Sequence, residues 1–215
     1  MRITTESVVE QFVGFDPATL YEAAGHQGMV DPAIRPAWPG ARICGVACTV
    51  ECPPADNLML HHAVAAAKPG IIIVAKLGGY LLTGAWGEIL TVAAQAKGVA
   101  GVAVDGAVRD IEAIAERRFP IFSRGLAIGS CTKERFGSLD VPILFGGVTV
   151  CPGDIVVGDS DGLVIVSRQR AEEILEAATG RRLRETAIME ELSKGKTTIE
   201  LLRLPPLPKT GVSGK

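Results

Sequence analysis

The segment WGEILTVAAQAKGVAGVAVDGAVRDI (residues 86–111) decides the fold class, because a helical pattern in it is followed directly by a strand pattern. Residues 88–97 predict a helix that ends at Gly98, and residues 99–104 predict a buried strand. A helix–strand unit of this kind turns the chain back towards the edge from which it started. We therefore expect the start of the helix and the end of the strand to share one edge of the domain.

Helices and strands also alternate outside this segment. On its N-terminal side we predict helices at 5–14, 17–27 and 57–68, strands at 42–50 and 71–76, and a glycine-rich loop at 78–87. On its C-terminal side we predict a turn at Asp105-Gly106, a helix at 110–118, a strand at 120–125, short antiparallel runs within 141–166 and a helix at 170–194. These elements predict an α/β fold with a mixed, layered β core flanked by helices. It forms one domain over residues 1–204, followed by a flexible Pro/Gly-rich tail at 205–215.

The composition excludes several classes of function. Hydrophobic residues make up 47% of the chain, which suits a globular core, and the net charge of -2 offers no basic surface for nucleic acid. No apolar run approaches the roughly 20 residues that span a bilayer, and the N-terminal sequence lacks the pattern of a signal peptide. We expect a cytoplasmic protein that binds neither nucleic acid nor membrane.

The five cysteines do not predict a metal cluster or a disulfide framework. Cys44, Cys48 and Cys52 recur every fourth residue, but their segment has the alternation of a strand, on which neighbouring thiols would stand about 13 Å apart. Cys131 and Cys151 stand alone in the sequence. All five are therefore interpreted as small buried or half-buried residues.

Arg109 and Asp110 follow the predicted buried strand, where α/β folds display polar groups on loops. The planar guanidinium of arginine matches a carboxylate with two hydrogen bonds, and aspartate offers a hard oxygen ligand for Mg²⁺ or Mn²⁺. The alternative interpretation is structural: Asp105-Gly106 forms a turn, and Asp110 caps the next helix.

A second feature favours the functional interpretation. Residues 84–90 (GAWGEIL) place backbone amides at the start of a helix, which is a favourable position for an anionic carboxylate. Glu88 lies 21 positions before Arg109, at the other end of the helix–strand unit. Amides, a guanidinium and a metal-binding carboxylate would then meet at one site for one small acid.

On these residues the sequence resembles the family that unites the class II 4-hydroxy-4-methyl-2-oxoglutarate / 4-carboxy-4-hydroxy-2-oxoadipate aldolases with the regulator of ribonuclease E activity A. The resemblance runs from PADNLMLHHAVAAAKPG through WGEILTVAAQAKGVAGVAVDGAVRDI to FGGVTVCPGDIVVGDSDGLVIV. Its most specific element is an acidic residue, twenty residues, then Arg-Asp, here Glu88 to Arg109-Asp110. The acid is commonly Asp in the family and is Glu in this chain.

The resemblance implies a role for each matching residue. It implies a carboxylate-binding loop at Gly87, Glu88, Ile89 and Leu90, with Arg109 as the substrate arginine and Asp110 as the metal ligand. Arg109 and Glu88, the latter through an ordered water, are the expected catalytic residues. The implied fold is a swivelling β/β/α domain, and the implied assembly is a homotrimer or a dimer of trimers.

The implied activity is a divalent-metal-dependent lyase, with Mg²⁺ or Mn²⁺ as cofactor. It would cleave 4-hydroxy-2-oxo acids to pyruvate and a second oxo acid through a pyruvate enolate, and would also decarboxylate oxaloacetate. The alternative implied by the same family is a protein-binding regulator without catalysis. Two adjacent histidines, His61 and His62, fall in the middle of a predicted helix, and we expect surface or packing roles for them.

Overall fold

The structure is a computed structural model that describes residues 5–207. Most of the predicted tail, residues 208–215, lies outside the described residues. The chain divides into two compact units, Met1–Ala178 and Thr179–Lys215, and every residue of the site described below belongs to the first. Among the described helices, none is both long enough and apolar enough to cross a membrane.

The predicted alternation of helices and strands is present in the structure. The helices are α1 (Thr5–Phe12), α2 (Pro17–Ala23), α3 (Leu58–Ala66), α4 (Glu88–Ala96), α5 (Ile111–Glu116), α6 (Ala171–Ser193) and α7 (Thr198–Leu201). The strands are β1 (Arg35–Pro36), β2 (Ile43–Glu51), β3 (Ile71–Gly84), β4 (Gly101–Val108), β5 (Ile121–Leu126), β6 (Ser138–Leu139), β7 (Ile143–Phe145), β8 (Val148–Val150), β9 (Ile155–Asp159) and β10 (Gly162–Val166).

The main sheet is mixed, as predicted. Its strand order is β1-β5-β4-β3-β2-β9-β10, and β6 pairs with β2 beside this path. The four central strands, β2 to β5, run parallel, whereas β1, β6, β9 and β10 pair with their neighbours in antiparallel fashion. Strands β7 and β8 form a separate hairpin. The predicted fold class, an α/β domain with a mixed β core flanked by helices, is confirmed.

The centre of the sheet is buried on both faces, as the apolar run at 71–76 predicts. Side chains alternate between the faces along a strand. Ile73 and Ala75 pack in the cluster that contains Leu60 of α3 and Leu90 of α4. Ile72 and Val74 pack on the opposite face, in the cluster formed with the β7–β8 hairpin. Helices α3 and α4 therefore both lie on the first of these faces.

The prediction of a loop at 78–87 is wrong over most of its length, because β3 continues to Gly84. Its register against β4 shifts between Lys76 and Tyr80 and again between Tyr80 and Gly84. Gly78 and Gly79 have φ values of 68° and 74°, a conformation that favours glycine and accommodates the extra residues of a bulge. The glycines thus bend the strand without ending it.

The predicted turn at Asp105-Gly106 is also wrong, since both residues lie buried within β4. A buried carboxylate needs a partner, and the guanidinium of Arg124 on β5 donates to Asp105 and, at 2.6 Å, to Asp31. Gly106 leaves little space for a side chain, because a Cβ there would lie 3.1 Å from the carbonyl oxygen of Tyr80. Both residues are therefore explained by packing within the sheet.

The five cysteines are free, and Cys44 and Cys48 lie in β2 as predicted. Cys44, Cys48 and Cys131 are half-buried and Cys52 is buried, whereas Cys151 is exposed, which contradicts its interpretation as a buried residue. Cys151 is exposed because it lies in the turn between β8 and β9.

We expect Asp105→Ala to lower the free energy of unfolding by about 3 kcal/mol, because it leaves the guanidinium of Arg124 without its buried partner. Urea denaturation followed by circular dichroism measures the change. The matched control is Glu173→Ala, which removes the carboxylate from an exposed pair with Arg170 and should leave the denaturation midpoint unchanged. Equal effects of the two substitutions would contradict a stabilising role for the buried pair.

Candidate functional site

A cleft of about 110 Å³ lies where β3 and β4 end. Four segments of the chain form it: α3, the β3–α4 connection with the first turn of α4, the residues after β4, and the loop between β5 and β6. Its lining residues are Asn57, His61, Gly84, Ala85, Gly87, Ile89, Leu90, Arg109, Asp110, Ser130, Cys131 and Lys133. Five of the six residues predicted for the site are thereby brought together.

Arg109 and Asp110 are held against the start of α4 by two hydrogen bonds. The backbone N–H of Arg109 donates to the carbonyl oxygen of Trp86 at 2.9 Å. The Asp110 carboxylate accepts, through Oδ2, the backbone N–H of Glu88 at 3.0 Å. The Asp110 side chain makes no capping hydrogen bond to α5, the helix that follows it. The alternative prediction, in which this side chain caps that helix, is therefore wrong. The side chain instead satisfies the first N–H of α4, which has no partner within the helix.

Gly87 lets the start of α4 approach Arg109 and Asp110 closely. A Cβ at this position would lie 2.4 Å from Oδ2 of Asp110 and 3.1 Å from Cγ of Arg109. The same constraint applies to Gly84, where a Cβ would lie 2.8 Å from the Cβ of Arg109. Glycine at both positions is thus required by the close packing of the β3–α4 connection on Arg109 and Asp110.

The first turn of α4 forms the wall of the cleft predicted to bind a carboxylate. Ile89 and Leu90 line the cleft, and N–H groups in the first turn of a helix have no acceptor within that helix. The positive end of the helix dipole adds a favourable field for an anion. This wall therefore offers amide donors beside the guanidinium of Arg109, which donates from Nη1 to Oγ of Ser130 at 3.4 Å.

Glu88 is the predicted site residue that does not line this cleft. Its Oε1 accepts hydrogen bonds from Nε and Nη2 of Arg117 at 3.0 and 2.7 Å. The Glu88 side chain lines a neighbouring open groove, while its backbone N–H remains bonded to Asp110. Both partners of the ion pair are about two-fifths exposed, so solvent weakens their attraction.

Asn57, His61, Ser130, Cys131 and Lys133 also line the cleft, although the sequence interpretation assigned none of them to the site. The prediction of a surface or packing role for His61 missed its place in the cleft wall. The available signal was the spacing of Asn57 and His61, four residues apart on one helix, which puts both on the same helical face. The three loop residues carry no comparable pattern.

Two buried polar atoms on the α3 wall lack hydrogen-bond partners among the described residues: Oδ1 of Asn57 and Nε2 of His61. Asn57 uses its amide nitrogen to donate to the carbonyl oxygen of Ala85 at 2.8 Å. Burial lowers the pKa of His61, and the charges of Lys133 and His62 lower it further, so the imidazole is neutral at pH 7. Unpaired polar atoms beside a cleft are positions where a ligand can supply the missing bonds.

Two residues outside the cleft lining, Trp86 and Lys76, have structural roles. Trp86 is fully buried, donates from Nε1 to Oγ1 of Thr91 at 2.8 Å, and stacks on Phe119. It thereby anchors the β3–α4 connection from inside the core. Lys76 pairs with Glu51 at 2.6 Å and does not line the cleft.

We expect Gly87→Ala to lower the free energy of unfolding by about 1–3 kcal/mol, since the new methyl group overlaps the Asp110 carboxylate. Thermal and urea denaturation measure this change. Gly180→Ala is the matched control, because its Cβ would meet nothing closer than 3.5 Å on helix α6, where alanine should stabilise. A Gly87→Ala protein as stable as the unmodified chain would contradict the steric argument.

Comparison with known proteins agrees with the resemblance predicted from the sequence. A sequence model of the family described as "RraA-like: Aldolase/RraA" matches residues 8–165. The "Putative 4-hydroxy-4-methyl-2-oxoglutarate aldolase" of Halalkalibacterium halodurans is 35% identical over 201 residues, which are 92% of this chain and 96% of that protein. A crystal structure of a protein from Pseudomonas syringae pv. tomato has a TM-score of 0.82 at 32% identity, covering 91% of this chain and 96% of the other. The RNA-processing inhibitor RraA from Thermus thermophilis has a TM-score of 0.65 at 29% identity, covering 72% and 93%. The chain belongs to the RraA-like aldolase/RraA family.

Proposed function

We propose that this protein is a divalent-metal-dependent lyase that cleaves 4-hydroxy-2-oxo acids to pyruvate and a second oxo acid. The substrates proposed are of the 4-hydroxy-4-methyl-2-oxoglutarate or 4-carboxy-4-hydroxy-2-oxoadipate type, with oxaloacetate decarboxylation as a side activity. The observation that carries the proposal is the meeting of the Arg109 guanidinium, the Asp110 carboxylate and the first turn of α4 in one cleft. The name of the Halalkalibacterium relative supports the same reaction class.

The cleft residues fit a divalent cation held by Asp110. Oδ2 of Asp110 accepts the Glu88 N–H, whereas Oδ1 accepts no hydrogen bond from the described residues and is a hard oxygen ligand. Within residues 5–207 no group of three or more His, Cys, Asp and Glu side chains comes together as a metal site. Mg²⁺ and Mn²⁺ suit a single carboxylate, since such ions keep several waters or take substrate oxygens as ligands. When bound, the cation would supply Lewis-acid stabilisation of negative charge on a substrate oxygen.

The protein groups have complementary parts in this chemistry. The amides of Ile89 and Leu90 would bind the substrate carboxylate, and Arg109 would donate to its 2-oxo oxygen. Breaking the C3–C4 bond leaves the electron pair on the pyruvate half, where it is delocalised onto that oxygen as an enolate. Arg109 favours this step because its hydrogen bonds strengthen as the negative charge develops. Loss of CO₂ from oxaloacetate leaves the same enolate.

The 4-hydroxyl proton must leave when the C3–C4 bond breaks, and C3 must later gain a proton. We assign the first transfer to a water oriented by Glu88, which does not line the cleft but lines the open groove that Arg109 and Asp110 also line. Arg117 binds Oε1 of Glu88, so Oε2 is the oxygen left to accept a hydrogen bond from that water. The second oxo acid is released as its 4-hydroxyl becomes a carbonyl group.

We also propose that the chain assembles as a homotrimer or a dimer of trimers. Support comes from an exposed apolar patch, formed by Leu81, Leu82, Leu126 and Ile128, around the open groove that Glu88 lines. These side chains are from 47% to 95% exposed, and monomers seldom expose large apolar patches of this kind. A neighbouring subunit on this patch would also cover one side of the Glu88–Arg117 pair.

We expect Arg109→Ala to lower kcat/KM for oxaloacetate and for 4-hydroxy-4-methyl-2-oxoglutarate by about 100- to 1,000-fold, because one charge-stabilising donor is lost. Asp110→Asn should lower both activities and the affinity for Mn²⁺. EDTA should abolish activity, and Mg²⁺ or Mn²⁺ should restore it. A coupled assay for pyruvate measures each activity, and Arg42→Ala is the control, since this exposed arginine lies outside the cleft.

Activity of the purified protein that survives EDTA or the loss of Arg109 would contradict the proposed lyase. Absence of pyruvate release from both substrates in the presence of either cation would favour the alternative, a protein-binding regulator. The structure of the RNA-processing inhibitor RraA, at 29% identity, is the observation on which that alternative rests.

The assembly makes a separate prediction. Ile128→Glu should reduce the molar mass in solution to that of a single chain, because a carboxylate cannot be buried in an apolar interface without a partner. Size-exclusion chromatography with light scattering measures the mass. Val13→Glu is the control, since Val13 is 64% exposed outside the patch. A wild-type chain that is already a monomer would overturn this part of the proposal.

A further inference from the structure

Asp56 is a fully buried carboxylate that directly precedes α3 and is not among the residues lining the cleft. Among the described residues its one ion-pair contact is long, with Nε of Arg135 lying 4.0 Å from Oδ2. Burial raises the pKa of Asp56, but hydrogen bonds from Thr132, Glu134, Leu58 and Arg135 outweigh this effect, so its pKa lies well below the usual range. The group is therefore held as a carboxylate by hydrogen-bond donors.

The donors to Asp56 come from two separate parts of the chain. Oδ1 accepts the backbone N–H of Leu58 at 2.9 Å, at the start of α3. Oδ2 accepts the hydroxyl of Thr132 at 2.6 Å and the backbone N–H groups of Glu134 and Arg135 at 2.9 and 3.1 Å. A single carboxylate thus joins the start of a helix to a loop that lies more than seventy residues away in sequence.

Backbone pairing reinforces the same junction. The N–H of Thr132 donates to the carbonyl oxygen of Ala55 at 2.9 Å, and the N–H of Asn57 donates to that of Thr132 at 3.0 Å. Asp56 lies between these two bonds. The loop between β5 and β6, residues 127–137, is consequently fixed to the N-terminal end of α3.

Both parts joined by Asp56 carry residues that line the cleft. Asn57 and His61 come from the α3 side, while Ser130, Cys131 and Lys133 come from the β5–β6 loop. The unpartnered atoms of Asn57 and His61 lie on the first of these walls. The distance between the walls depends on how the loop is attached to α3, and that attachment is centred on Asp56.

We infer that Asp56 is a positioning residue that sets the spacing of these two walls and thereby selects substrates by the part that extends beyond the pyruvate half. The inference rests on the proposed function. Oxaloacetate has only a carboxylate beyond its pyruvate half, whereas 4-hydroxy-4-methyl-2-oxoglutarate has a substituted carbon as well. A loosened loop should therefore impair the larger substrate more than the smaller one.

The test compares Asp56→Asn with Asp154→Asn in the full-length chain. Asp154 is a matched control, because it is also buried and accepts two backbone N–H groups, from Cys151 and Arg168, but does not line the cleft. The readout is the ratio of kcat/KM for 4-hydroxy-4-methyl-2-oxoglutarate to that for oxaloacetate, measured on one preparation. A loss of folded protein lowers both activities equally and cancels in this ratio.

We expect Asp56→Asn to lower this ratio about tenfold, chiefly through a higher KM for the larger substrate, since about 1.4 kcal/mol of lost binding gives that factor. Asp154→Asn should leave the ratio unchanged. If Asp56→Asn does not fold, Thr132→Val removes only the hydroxyl, which donates to Asp56 and to the carbonyl oxygen of Ala55 at 3.3 Å, and should change the ratio in the same direction by a smaller factor. An unchanged ratio in the variant that folds would overturn the selection of substrates by Asp56.

Thiol labelling tests the positioning role of Asp56 independently of enzymatic activity. Cys131 is half-buried in the cleft wall, and Cys151 is exposed in a turn that does not line the cleft. We expect N-ethylmaleimide to label Cys131 about tenfold faster in Asp56→Asn than in the wild type, because local opening of the loop exposes the thiol, with Cys151 unchanged. If the wild type releases no pyruvate, the lyase proposal and the inferred substrate selection both fail, and the labelling rate alone decides whether Asp56 positions the loop. Unchanged labelling would overturn that role.

Discussion

The hydrogen bond from the Glu88 N–H to the Asp110 carboxylate, 3.0 Å long, connects the start of α4 to the end of β4. Around it, the Arg109 N–H binds the carbonyl of Trp86, and Gly84 and Gly87 allow the backbone to pack against Arg109. This junction gives the cleft its amide wall, its guanidinium and its carboxylate together. Parallel strands joined by helices bring such groups to the carboxyl edge of a sheet, and the short contacts then fix their relative positions.

Local patterns predicted this junction well, because both of its halves lie within one helix–strand unit. The period of apolar residues marked α4 and β4, and the twenty residues between Glu88 and Arg109 were enough to return the chain to the same edge. The predictions of a turn at Asp105 and of a loop in β3 are wrong, because contacts distant in sequence decide the structure there. Asp105 resembles a turn residue until Arg124 is placed beside it, and the glycines of β3 resemble a loop until β4 pairs with them.

Contacts distant in sequence also place the parts of the candidate site that local patterns do not predict. Lys133 and Ser130 lie in a loop without periodicity, and contacts of residues 55–57 with residues 132–135, centred on Asp56, bring that loop to α3. The sequence predicts a surface or packing role for His61, because a helical position alone does not show what lies opposite it. The turning of the Glu88 carboxylate towards Arg117 likewise depends on a tertiary contact.

The cleft has an uneven distribution of charge that matters for its chemistry. Arg109 and Lys133 are its cations, His61 is neutral at pH 7, and Asp110 is its carboxylate. An acid with two carboxylates would balance this excess of positive charge better than a neutral compound. Charge of this kind also attracts small anions without regard to their shape, so discrimination among them must come from the walls.

The joining of residues 56 and 132 by one carboxylate also affects how the protein folds. The helix–strand unit from Glu88 to Asp110 closes over a short stretch of chain, whereas the contact between Asp56 and the β5–β6 loop closes over a much longer one. Closing a loop costs more conformational entropy as the sequence separation of its two ends grows. The contact between Asp56 and Thr132 is therefore less favourable until the strands between them have paired. The chain would then hold the parallel strands β2 to β5, with Arg109 and Asp110 in place, before it has a cleft with two walls.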